Sequence, residues 1–174
     1  VYSRMTNPTV SVFEERVAQL EGGRGAVATS SGHAAQFIAA ATLMEAGDEF
    51  IASRNLYGGS VTQFGVSFPK LGWKCNFVDP TDPANFEKAM NDKVKFIFCE
   101  GVANPGGIIL DLEKIADIAH KHGVLLIVDN TLASPYLLRP FEWGADLVVH
   151  STTKFIGGHG TVSYTHLRAH ETRT

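Results

Sequence analysis

The sequence predicts an α/β protein: a three-layer, mostly parallel sheet with helices on both faces. Three observations carry this. Short apolar runs alternate with stretches of helical periodicity along most of the chain. Runs such as 94–99 and 124–128 are almost continuously apolar, as strands covered on both faces must be. Turn formers such as Gly22-Gly23, Pro69 and Gly123 punctuate the alternation.

The elements follow in order. Asn7 is placed to cap a helix whose first position is Pro8. Val10, Phe13, Val17 and Leu20 then recur at three- and four-residue steps until Gly22-Gly23 ends the run. A strand over 26–29 leads into an Ala-rich helix over 33–45, and a strand over 49–52 into a helix over 60–68, closed before Pro69. A strand over 73–78, a helix over 84–91 and a strand over 94–99 come next. Asp111 caps a helix over 112–122, stopped by Gly123, and strands over 124–128 and 146–149 close the set.

At 174 residues the chain suits one domain with a substantial core. A composition 44% hydrophobic and 19% charged is that of a globular protein. Fifteen Lys and Arg against eighteen Asp and Glu give a net charge of −3, which lacks the basic footprint of a nucleic-acid binder. No apolar run approaches the roughly 18 residues of a membrane span, so no membrane partner is expected. Cys75 and Cys99 sit far apart with no paired spacing, which points to two free, buried thiols in a reducing, cytoplasmic compartment. The segment 162–174 has no apolar periodicity and a sudden density of His and Arg. It reads as a non-native or disordered tail, leaving 1–161 as the folded unit.

Ligands of parallel α/β sheets bind outside the carboxyl ends of the strands, so chemistry is sought in the loops that follow them. Lys154 follows the last strand, with hydroxyls at Ser151 and Thr153 before it. An amine there can trap an aldehyde while the hydroxyls hold a neighbouring anion. Asp129 ends the apolar strand 124–128, ahead of Asn130 and Thr131, where a carboxylate needs a cationic partner or its own loop. Ser31-Gly32-His33 opens a helix after a strand and offers an anion free N–H groups. Tyr57-Gly58-Gly59 follows another strand, with a ring able to lie on an aromatic ligand. Together these are a phosphate cradle, a stacking ring, a pyridinium partner and an aldehyde-trapping lysine: a pyridoxal-phosphate site.

The wording YSRMTNPT, ATSSGHAA, NLYGG, IVDNT and HSTTKFIGGHGT resembles the Cys/Met-metabolism group of fold-type-I pyridoxal-phosphate enzymes over essentially residues 1–161. Within that group it is most similar to O-acetylhomoserine sulfhydrylases. The resemblance implies a partial cofactor-binding large domain, with more chain before Val1 and after GGHGT, including a C-terminal domain that grips the substrate carboxylate. Lys154 would be the Schiff-base lysine, Asp129 the partner of the pyridine nitrogen and Tyr57 the stacking ring, the three catalytic positions. The Gly32 and His33 backbone amides and the Ser151 and Thr153 hydroxyls would hold the phosphate. Asn104 would lie near the phenolic oxygen, and Ser31 and Thr131 would be further cofactor-binding residues. Tyr2 and Arg4 would reach the phosphate of a neighbouring subunit, implying a homo-oligomer, a dimer of dimers. His33 departs from the small or methionine residue usual in the group.

The implied reaction is a γ-replacement on O-acetyl-L-homoserine, in which sulfide or a thiol gives homocysteine or a homologue. Cystathionine γ-synthase and methionine or cystathionine γ-lyase chemistry are alternatives, and so is an inactive fragment that keeps only the fold. Two other readings fare worse. Gly23-Arg24-Gly25-Ala26-Val27-Ala28 fits a dinucleotide fingerprint, but its glycines precede a strand where that fingerprint follows one. His166 and His170 have helical metal-ligand spacing without the catalytic glutamate, and His120 and His122 are two apart at a helix end, so no metal site is expected.

Overall fold

The computed structural model describes residues 7–158 and the strand Tyr164–Arg168. Helix α1 (Pro8–Glu21) is capped as the sequence predicts: the Asn7 side chain accepts from the N–H groups of Thr9 and Val10, and Gly22 closes the helix at φ 74°. Its buried face is not quite the predicted one. Val17, Ala18 and Glu21 are buried and Phe13 packs against the core, while Val10 and Leu20 are exposed.

Strand β1 (Gly25–Thr29), helix α2 (Gly32–Ala41) and strand β2 (Glu49–Ser53) follow. The predicted helix 60–68 is split into a short α3 (Gly58–Thr62), a π-helical turn over Gln63–Ser67 and a 3-10 turn over Phe68–Leu71. Pro69 does not stop the chain there, because it occupies the first turn of the 3-10 segment, where no donor is needed. Then come β3 (Lys74–Val78), α4 (Ala84–Lys88), β4 (Val94–Glu100), α5 (Leu112–Lys121), β5 (Leu125–Asp129), a single-turn α6 (Ser134–Leu137) and β6 (Leu147–His150). The short turns Ser134–Leu137 and Pro140–Trp143 were not expected, being too brief to show a period.

Among the described residues the sheet has seven strands in the order β1-β7-β6-β5-β4-β2-β3, where β7 is Tyr164–Arg168. Strands β3, β2, β4, β5 and β6 run parallel, and β7 lies antiparallel between β1 and β6. The expectation that 162–174 stands outside the fold is therefore not met over Tyr164–Arg168. Backbone pairing needs no apolar period, which is why composition missed this strand. Residues 162–163 and 169–174 lie outside the described residues, as do Tyr2 and Arg4.

Alternation along each strand builds two cores. Ile97 and Cys99 of β4 and Leu126 and Val128 of β5 pack with Val17, Ile115 and Ala119 of α1 and α5 on one face. Phe96 and Phe98 of β4 and Ile127 of β5 pack on the other with Ala35 and Ala39 of α2, Phe50, Phe64 and Phe68. Phe50 stacks on Phe96 with ring centroids 4.7 Å apart and meets Phe64 edge-on at 5.1 Å. The three-layer α/β architecture is the predicted one. Cys99 is buried, whereas Cys75 is only half-buried, contrary to the expectation of two buried thiols; burial pushes both thiols up, so neither is a ready nucleophile.

Candidate active site

The carboxyl ends of β4, β5 and β6, in the middle of the sheet, open onto a cavity of about 320 Å³. Its walls bring together most of the residues singled out from sequence: Ser31, Gly32 and His33 at the start of α2, Tyr57, Asn104, Asp129, Thr131, Ser151 and Lys154. Thr153 is not part of the wall, but its hydroxyl lies 3.1 Å from that of Ser151.

Each side chain has a local reason for its place. Ser31 caps α2, accepting from the Ala34 N–H at 2.9 Å, so its hydroxyl already has a partner. Asp129 ends β5 and uses its two oxygens differently: Oδ1 accepts from the Thr131 N–H at 2.9 Å, and Oδ2 from Gln36 Nε2 at 3.2 Å. It therefore both caps its own loop and faces the cavity. Thr131 ties two strand ends, its Oγ1 accepting from the Ser151 N–H at 2.8 Å. Lys154 sits in the turn after β6, where its N–H reaches the Ser151 carbonyl at 3.1 Å and its side chain is exposed to the cavity. The His33 ring stacks beside that of Tyr57, centroids 5.9 Å apart.

Two polar wall residues were missed. Gln36 is one turn into α2, buried, and bridges Ser60 Oγ and Asp129, while its Oε1 has no partner among the protein atoms. Glu100 ends β4 directly opposite Asp129 in the β4–β5 register. Its Oε1 accepts from the Tyr57 N–H at 2.6 Å and its Oε2 from the Asn104 N–H at 2.8 Å. Burial pushes its carboxyl up to about 7; the Asp129 charge adds to this and the two N–H groups oppose it. The signal was available, since a carboxylate closing an apolar strand is the same pattern that singled out Asp129.

Behind the cavity, Glu21, Asn130 and His150 form a fully buried polar cluster joining the end of α1 to the ends of β5 and β6. Among the described residues no group of His, Cys, Asp and Glu could hold a metal ion. His120 turns to Asp146 at 3.0 Å and His122 to Glu87 at 3.3 Å, so the two do not converge. No helix among the described residues is long and apolar enough to cross a membrane.

The family model for Cys/Met metabolism PLP-dependent enzymes matches residues 1–168. The chain belongs to that family. It is 54% identical over 162 residues to Sulfhydrylase FUB7 of Gibberella moniliformis, covering 92% of this chain and 37% of that protein. With O-acetyl-L-homoserine sulfhydrylase of Leptospira meyeri the identity is 50% over 161 residues, covering 92% of this chain and 36% of that one. A crystal structure described as an O-acetylhomoserine (thiol)-lyase of Campylobacter jejuni, with N'-pyridoxyl-lysine-5'-monophosphate, superposes with a TM-score of 0.95 at 38% identity. That match covers 98% of this chain and 43% of the other. The chain thus spans well under half the length of the relatives it matches.

Proposed function

We propose that this chain supplies the cofactor site of a pyridoxal-phosphate-dependent enzyme that replaces the acetate of O-acetyl-L-homoserine with sulfide or a thiol. The observation that carries this is the single cavity onto which Lys154, Asp129, Tyr57 and the amino end of α2 all open.

The residues fit the cofactor's chemistry. A phosphate suits the free N–H groups of Gly32 and His33 at the start of a ten-residue helix, with the Ser151 and Thr153 hydroxyls as further donors. A protonated ring nitrogen suits Asp129, whose carboxylate faces the cavity. The buried, unpartnered Oε1 of Gln36 is an acceptor still to be satisfied at the same wall. When bound, pyridoxal phosphate supplies an electron sink that stabilises negative charge at the substrate Cα.

On this reading Tyr57 holds the ring flat and Asn104 orients its phenolic oxygen. Lys154 Nζ takes the Cα proton and returns it. In the overall exchange the Cγ–O bond breaks, acetate leaves with the electron pair, and sulfur forms the new bond to Cγ. The names of the sulfhydrylase relatives support this choice among reactions of the family.

Two experiments test the reading. Borohydride reduction of the protein incubated with pyridoxal phosphate, followed by peptide mapping, is expected to place the pyridoxyl group on Lys154 and to lose it in Lys154→Ala. Scattered labelling overturns the cofactor site. Assay with O-acetyl-L-homoserine and sulfide in the protein that carries this chain is expected to yield homocysteine, and 2-oxobutyrate alone makes it a γ-lyase instead.

A further inference from the structure

We propose that Glu100 is a positioning residue: its carboxylate fastens the two loops that carry Tyr57 and Asn104 and so sets the geometry of the cofactor wall. This rests on the cofactor reading above.

The two loops come from different parts of the chain. Tyr57 follows β2 and precedes α3, and Asn104 lies between β4 and α5. Both side chains are exposed to the cavity and, among the described residues, make no side-chain hydrogen bond to its other walls. What fixes them is the backbone. The Tyr57 N–H donates to Glu100 Oε1 at 2.6 Å and the Asn104 N–H to Oε2 at 2.8 Å. Each oxygen of one carboxylate thus takes one loop.

The acceptor itself is anchored in the sheet. Glu100 is the last residue of β4, 5% exposed, with its backbone paired to Asp129 in the centre of the sheet. A carboxylate buried at that point has no stabilising role that a neutral side chain could not fill more cheaply, unless its two acceptor sites are used. They are, and both donors belong to residues that face the proposed ring. Neighbouring titratable groups are Asp129 on β5, Lys154 after β6, His33 on α2, Tyr57 itself, and Cys99 on β4. The structure pairs none of the cations among them with Glu100, so the two N–H groups are its named partners.

The test uses Glu100→Gln and Glu100→Ala. Glutamine keeps the shape but offers only one acceptor oxygen, so one loop is released; alanine releases both. Amide hydrogen exchange at Tyr57 and Asn104 is expected to accelerate about 10- to 100-fold, for one of the two amides in Glu100→Gln and for both in Glu100→Ala. The dissociation constant for pyridoxal phosphate, read by its visible absorbance, is expected to rise about tenfold or more in either variant. Amides elsewhere in β4 and β5 should keep their protection in Glu100→Gln, which separates loop release from general loosening. Unchanged exchange at both amides in Glu100→Gln overturns the proposal, and so does altered exchange with unchanged pyridoxal phosphate affinity. If the unsubstituted protein takes up no pyridoxal phosphate at Lys154, the functional reading falls, and the positioning of a cofactor wall falls with it; exchange at the two amides then still reports whether Glu100 holds the loops.

Discussion

Glu21→Ala should cost about 2–4 kcal/mol of folding stability, although Glu21 lies outside the cavity wall. Glu21 ends α1, is 0% exposed, and is surrounded by Asn130 and His150, each also 0% exposed. Its Oε1 accepts from Asn130 Nδ2 at 2.8 Å and contacts His150 Nε2. Asn130 keeps a second partner, the Leu138 carbonyl at 2.8 Å, when the glutamate is removed. His150 does not, because its Nδ1 has no partner among the protein atoms. Alanine therefore strands a buried ring nitrogen, at about 1–3 kcal/mol. It also gives up one buried methylene, at about 0.8 kcal/mol. That is a large share of the roughly 5–15 kcal/mol that holds a domain folded. Urea unfolding of Glu21→Ala, His150→Ala and the double variant measures it. Removing both partners should restore part of the loss, with a coupling energy of at least about 1 kcal/mol. A single-variant loss below about 1 kcal/mol, or strict additivity, refutes the reasoning.

Other outcomes follow from single positions. Burial raises the Glu100 carboxyl to about 7, so between about pH 4.5 and 7 the folded protein keeps a proton that the unfolded chain has released. Stability from this group is thus full at low pH and falls by about 3 kcal/mol as pH rises through 7; Glu100→Gln should flatten that slope in urea titrations at pH 5 and 8. Gly144 has φ +89° and a Cβ there would sit 2.6 Å from Ala116 Cβ, so Gly144→Ala should lower stability by about 2–4 kcal/mol, read by thermal or urea unfolding. A Cβ on Gly59 would lie 2.5 Å from the His33 ring and 2.6 Å from the Tyr57 ring, both on side chains able to turn. Gly59→Ala should therefore weaken pyridoxal phosphate binding several-fold by titration while leaving the unfolding midpoint nearly unchanged.

The strands were the most legible part of the chain. Those covered on both faces, such as 94–99 and 124–128, have to be almost continuously apolar, so composition alone marks them. Helix faces were less so. The predicted stripe of α1 put Val10 and Leu20 inward, yet the face that packs includes a charged residue, Glu21, whose burial depends on His150 far along the chain. No local pattern reveals a partner that distant. The segment 60–68 reads as one helix closed before Pro69, but the structure runs from Gly58 to Leu71 as three short turns of different pitch. Residues 164–168 failed for the opposite reason: a strand made by backbone pairing carries little signature in its side chains.

The site divides along the same line. Lys154, Asp129, Tyr57 and the 31–33 turn could be singled out because each ends or follows an element, where side chains point at ligands. Gln36 sits inside a helix, where polarity reads as surface, and only the fold brings it to Asp129. Glu100 and Asp129 are a pair by register, one strand apart at the same height. Two carboxylates so placed repel, and burial of Glu100 makes the repulsion costlier than it is in water. Such a pair is relieved either by holding a proton or by meeting a positive charge. Two backbone N–H groups on Glu100 and the Gln36 amide on Asp129 offset part of the cost with dipoles. The remainder favours a cationic ligand group between the strand ends. On the proposed function the protonated ring nitrogen of pyridoxal phosphate is that group, and its arrival should lower the Glu100 carboxyl. Repeating the pH 5 and 8 titrations with saturating pyridoxal phosphate should therefore shrink the Glu100-dependent slope. A slope unchanged by the cofactor places the positive charge somewhere other than beside these two carboxylates.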